Sequence, residues 1–219
     1  MQDFFSALFG SMRKHGGIAF IILVYVSGTI GMRTAFREWF VSLTAANLLL
    51  SAGLLLWYVP QWTLMRVVWC VWAAVVGFVA EWVGVNTGLL FGEYQYGAVL
   101  GWQWQRTPLL IAVNWMMVTY IANEVTGRWI PHGSVAGKAA VAASVCTGLD
   151  ILIEPTAIRL GYWTWTEGMP PIQNYVAWWA LSFVIALPWP AWMGKDQRNK
   201  AAPVLLCLQI LFFAAGLFL

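Results

Sequence analysis

The chain has 219 residues, of which 61% are hydrophobic and 10% charged, with a mean hydropathy of +0.70, values that exclude a soluble globular domain. Its net charge of +3 is dispersed, with no basic stripe to follow a phosphate backbone, so nucleic acid is not an expected partner. The expectation is an all-α polytopic transmembrane helix bundle, with residues 1–219 forming a single integral membrane domain.

Taken in chain order, Phe4, Phe5, Leu8 and Phe9 precede Arg13 and Lys14 and fit a helix lying in the membrane interface. Seven apolar windows of spanning length follow, at 16–32, 39–59, 64–83, 108–126, 135–154, 175–193 and 202–219. No small-residue cleavage site follows the first, which is read as an anchor. Eight cationic residues (Arg13, Lys14, Arg66, Arg128, Lys138, Lys195, Arg198, Lys200) lie at the N-terminus and in the even loops; four (Arg33, Arg37, Arg106, Arg159) lie in the odd loops. This bias predicts a cytoplasmic-membrane protein with a cytoplasmic N-terminus. The span count places the third and fifth loops on one membrane face whichever way the protein points.

Those two loops carry the unusual residues. The third span ends in Glu81, Gly84, Thr87 and Gly88, followed by Phe91-Gly92-Glu93-Tyr94-Gln95-Tyr96. The fifth ends in Asp150, Glu154, Pro155 and Thr156, followed by Gly161-Tyr162-Trp163-Thr164-Trp165. Aligned on Glu81 and Asp150, both segments place Thr at +6, Gly at +11 and aromatics at +13 and +15, consistent with a duplicated helix-loop-helix unit. A carboxyl group near the end of a membrane helix is costly unless paired, hydrated or functional. The alternatives for Glu81 and Asp150 are therefore a salt bridge to Arg106 or Arg159, a packing hydrogen bond, or acid-base work in a wet cavity.

Pro155 is expected to end its helix, and Gly84, Gly88, Gly92 and Gly97 to interrupt the other hairpin. Ala140, Ser144 and Gly148 form a small-residue stripe suited to close helix contact, with Asp150 pointing elsewhere. Tyr94, Tyr96, Trp163 and Trp165 offer π faces to an apolar ligand or a carbocation, or else belong to an interfacial aromatic belt. Asn114 either lines a cavity or bonds between helices. Glu124 and Arg128 are spaced as a helix-end ion pair.

Cys70, Cys146 and Cys207 are far apart in apolar segments and read as core filler. His15 and His132 lie away from the acids, so no metal site is expected. The seventh span has no lysine to hold retinal.

At the two acid-and-aromatic blocks the chain resembles the membrane carotenoid-biosynthesis family that includes the carotenoid 1′,2′-hydratases acting on γ-carotene-like and bisanhydrobacterioruberin-like substrates. The matching positions are Glu81, Gly84, Thr87, Gly88, Phe91, Gly92, Tyr94 and Tyr96, then Asp150, Glu154, Pro155, Gly161, Trp163 and Trp165. Glu93 falls at a variable position. The resemblance implies hydration of a terminal double bond of an acyclic or monocyclic carotenoid without a cofactor. It implies Asp150 or Glu81 as proton donor, the other as the group that orients or deprotonates water, and Glu154 in reserve. Tyr94, Tyr96, Trp163, Trp165, Phe91, Asn114 and Arg159 are the substrate-binding candidates. Membrane lipid and other pigment-pathway enzymes are the expected partners. Two other readings fit the same residues: a non-catalytic carotenoid or isoprenoid binder within a pigment complex, and, less well, a transporter.

Overall fold

The computed structural model describes the backbone of residues 2–194 and 198–218, and the side chains of 16–194 and 198–218. The expectations for Phe4, Phe5, Leu8, Phe9, Arg13, Lys14, His15 and Lys195 rest on side chains outside the described residues. Helix α1 (Gln2–Gly31) takes in both the opening segment and the first apolar window. It is followed by α2 (Arg37–Ser42), α3 (Thr44–Trp57) and α4 (Leu64–Thr87). Strands β1 (Tyr94–Tyr96), β2 (Gln103–Trp104) and β3 (Thr107–Pro108) lead into α5 (Leu110–Trp129) and α6 (Val135–Arg159). After β4 (Trp163–Trp165) come α7 (Ile172–Ala186), α8 (Trp189–Met193) and α9 (Ala201–Gly216).

Three stretches are long and apolar enough to cross a membrane: α4, α6, and α7 taken with α8. Gly16–Gly31, α3 and α9 are shorter apolar helices. The fold is thus a predominantly helical bundle, but two expected spans are broken. The second divides at Leu43, whose amide bonds three residues back to Phe40. The sixth divides at Leu187 and Pro188, because proline has no N–H to continue the ladder.

Helix α5 explains how polar residues are accommodated. It packs against α3, α4, α6, α7 and α9, so residues 115–126 are all buried, including Thr119, Asn123, Glu124 and Thr126. Neighbouring helices, not lipid, surround these groups, and polar residues in membrane bundles belong on such an interior helix. Glu124 meets Arg128 at 3.1 Å, the pair expected from the spacing, and also accepts from the Asn199 amide at 2.8 Å.

Helix caps follow local chemistry. Thr63 and Ser134 accept backbone amides at the starts of α4 and α6. Gly88, at φ 69°, closes α4 in the left-handed conformation.

Four expectations need correction. Pro155 does not end its helix: α6 continues to Arg159. The hydrogen bond lost at proline is offset by docking onto α9, where Thr156 Oγ1 donates to Phe213 O and Arg159 to Gly216 O and Leu217 O. Gly84 lies inside α4, not at a break, and gives the Phe91 ring its place against the helix. The Ala140, Ser144 and Gly148 stripe is not the close-packed face. Ser144 accepts from Trp179 on α7, but Gly148 faces open space and the buried small residues are Ala139, Ala142, Ala143 and Cys146. Cys146 is buried as expected, whereas Cys207 is exposed.

The strands were not anticipated as such. β1 and β4 pair antiparallel, with Tyr94 opposite Trp165 and Tyr96 opposite Trp163; β2 and β3 form a second pair. This joins the α4–α5 connection to the α6–α7 connection. At the junction Gly97 N–H donates to Tyr162 O at 2.8 Å, and any Cβ on Gly97 would collide with the Gly161 carbonyl.

Candidate active site

Side chains two apart on a strand share one face. On β1 that face carries Tyr94 and Tyr96, and on β4 it carries Trp163 and Trp165. Each pair is directed at one carboxyl group on the helix before it. Glu81 Oε2 accepts from Tyr94 and, at 2.8 Å, from Tyr96, while its Oε1 accepts from Trp115 Nε1 of α5 at 2.9 Å. Glu154 Oε2 accepts from both Trp163 Nε1 and Trp165 Nε1 at 2.9 Å.

Glu81 is therefore matched by Glu154, not by Asp150 as the alignment of the two blocks supposed. Glu81 precedes the end of α4 by six residues and Glu154 precedes the end of α6 by five. The continuation of α6 through Pro155 produces this equivalence.

Asp150 lies one helical turn before Glu154, and its Oδ2 accepts from Asn174 Nδ2 of α7 at 2.9 Å. Among the described residues, the other oxygens of Asp150 and Glu154 have no partner. Neither of the expected ion pairs forms: Arg106 donates to Asn86 at 3.1 Å, and Arg159 caps the end of α9. Glu81, Asp150 and Glu154 are 3%, 2% and 3% exposed.

The three carboxyl groups face a common cavity of about 170 Å³. That is more than ten times the roughly 10–15 Å³ that holds one water. Phe91, Tyr94, Tyr96, Trp163 and Trp165 line it, as does Asn114, which makes no interhelical hydrogen bond among the described residues. Arg159 is exposed and stands outside the cavity. Among the described residues no lysine, arginine or histidine lines it.

The aromatic wall is built by ring packing. Tyr94 and Trp165 lie 4.9 Å apart with planes tilted by 35°, and Tyr96 meets Trp163 edge to face at 6.0 Å. Burial, and next the Glu81 carboxylate, push the phenols of Tyr94 and Tyr96 well above the usual tyrosine range, so both act as neutral donors.

Sequence reasoning missed two supporting residues. Asn174, 2% exposed, follows Gln173 in the first turn of α7, and nothing in the sequence set one amide apart from the other. Trp115, fully buried and stacked on Trp178 at 4.0 Å, likewise carried no signal among sixteen tryptophans.

The arrangement offers carboxyl groups able to give or take a proton, aromatic faces able to stabilise positive charge, and an apolar chamber around both. No curated protein and no solved structure matches the chain. The sequence profile described as carotenoid biosynthesis protein matches residues 19–219, nearly the whole length, and the chain belongs to that family.

Proposed function

We propose that the protein is a carotenoid hydratase, a hydro-lyase that adds water across the terminal C1=C2 double bond of an acyclic end group without a cofactor. The observation that carries this reading is the set of three carboxyl groups facing one aromatic-walled cavity with no cationic side chain in its lining.

The donors received by each acid divide the roles. Glu81 accepts three hydrogen bonds and is the best supported as an anion. Asp150 accepts one, from a neutral amide, and is the group that carries the proton. Asp150 gives that proton to C2; the π electrons form the new C–H bond and leave a tertiary cation at C1. The Glu81 anion and the faces of Tyr94, Tyr96, Trp163 and Trp165 stabilise this charge. Water forms the C1–O bond and loses a proton to the open oxygen of Glu154. Because Glu154 and Asp150 are i, i+4 neighbours, roughly 5–6 Å apart at Cβ, the proton returns to Asp150 for the next cycle. One water is consumed, and no electron is gained or lost.

The substrate enters from the lipid, and the chain sits in the cytoplasmic membrane with its N-terminus inside. Expression in cells that accumulate an acyclic carotenoid tests the activity. The expected product is heavier by one water, keeps its chromophore and takes its oxygen from labelled water. Unaltered pigment in cells containing the folded protein refutes the reading.

A further inference from the structure

Three helices that carry none of the carboxyl groups bring polar side chains to the same cavity. Tyr25 of α1, Asn47 of α3 and Gln209 of α9 all line it. The Tyr25 hydroxyl lies 3.2 Å from Ser51 Oγ, and the amides of Asn47 and Gln209 reach the same hydroxyl. Gln209 is 5% exposed, yet its Oε1 has no hydrogen-bond partner; Oδ1 of Asn47 is also buried and unpartnered. Leaving two amide carbonyls unsatisfied in an apolar bundle is expensive. Both residues line a cavity that can hold the missing donor.

The position relative to the acids is informative. Tyr25 and Gln209 precede the ends of α1 and α9 by six and seven residues, and Glu81 precedes the end of α4 by six. At 1.5 Å per residue each lies roughly 9–10 Å from its helix end. Those ends belong to one side of the bundle: Arg33 after α1 donates to Ala215 O, Arg37 to Arg159 O, and β4 after α6 pairs with β1 after α4. A molecule in the cavity at that depth is within a wall that carries both the carboxyl groups and the side-chain amides.

We infer that Tyr25, Asn47 and Gln209 form a second subsite of this cavity, one that binds an O–H donor, supplied either by an alcohol on the isoprenoid ligand or by a held water. A water donates to both carbonyl oxygens and an alcohol to one of them, and the Tyr25 hydroxyl donates to the oxygen of either. The subsite uses none of the carboxyl groups, so it stands whether or not the protein hydrates its ligand.

The test uses the full chain in lipid nanodiscs and reads tryptophan quenching by two probes that cannot be hydrated at the tested end, 1,2-dihydrolycopene and its 1-hydroxy counterpart. A hydroxyl subsite gives the alcohol an advantage of about tenfold, the worth of one or two buried hydrogen bonds. Gln209→Met and Asn47→Leu remove that advantage and leave the affinity for the hydrocarbon unchanged. A water subsite gives equal affinities for both probes and ordered density between the two amides in an experimental map of the ligand-free protein. Equal affinities with no such density overturn the inference, as does an alcohol preference that survives in the double variant. The same comparison in Glu81→Gln separates this result from the hydratase reading, because the preference persists there even if hydration is absent or lost.

Discussion

Replacing Asp150 with asparagine removes the acidic proton and keeps an acceptor oxygen in nearly the same place. The Asn174 Nδ2 donor at 2.9 Å finds an amide oxygen where the carboxyl oxygen stood, so the bond between α6 and α7 is kept. A neutral hydrogen bond of this kind contributes about 0.5–1.5 kcal/mol net, and because it is retained the expected change in folding stability is under about 1 kcal/mol. The effect on turnover is of a different size. A positioned general acid contributes about 10²–10⁴-fold, which at 1.36 kcal/mol per decade is roughly 3–5 kcal/mol of barrier. The assay pairs the rate of water addition to an acyclic carotenoid in nanodiscs with the thermal unfolding midpoint of the same preparation. A variant that unfolds with the wild type and retains turnover within tenfold refutes Asp150 as the proton donor. One that loses activity only because it unfolds at a much lower temperature refutes the claim that the Asn174 bond is preserved.

Three further outcomes follow from other contacts. Tyr94→Phe and Tyr96→Phe each remove a donor from Glu81 and are expected to destabilise the protein by about 1–3 kcal/mol; the double variant should depart from additivity in chemical unfolding, since both phenols reach one oxygen. Gly97→Ala drives a methyl group into the Gly161 carbonyl, with an expected loss of about 1–3 kcal/mol by thermal unfolding and a parallel loss of turnover. Burial pushes the Tyr162 phenol, beside Thr44, up to about 12. Its protonated form therefore contributes stability that is fully present below the ordinary tyrosine range near 10 and is lost as pH rises through about 12. In a tyrosinate absorbance titration, Tyr162→Phe should remove a late-titrating group; disappearance of an early one refutes the assignment.

The acids and aromatics were legible because ionisable groups are rare in apolar segments, and Glu81, Asp150 and Glu154 stood out against theirs. Their pairing was not legible. It depends on whether α6 stops at Pro155 or runs on to Arg159, and that is decided by contacts with α9, more than fifty residues later in the chain. The strands were half visible: Tyr94 and Tyr96, Trp163 and Trp165 alternate with period two, but three residues are too few to distinguish a strand from an aromatic belt without the partner segment. Helix α5 was legible as an apolar window, but its place in the interior of the bundle was not. Asn47 and Gln209 carried no signal, because single amides in apolar helices become meaningful only when tertiary packing turns them toward the same space.

The antiparallel pair β1–β4 also has a mechanical consequence. It ties the α4–α5 connection to the α6–α7 connection, and each strand is fastened to its own preceding helix through a buried carboxylate. Four helices thus share a strut at one end and resist being pulled apart there. The remaining wall of the cavity comes from α1, the α2–α3 break and α9, with Ser27 and Leu43 both lining the cavity and exposed on the outer surface. The chamber is thus braced by hydrogen bonds on the side of the acids, while the residues it shares with the outer surface lie on α1 and at the α2–α3 break.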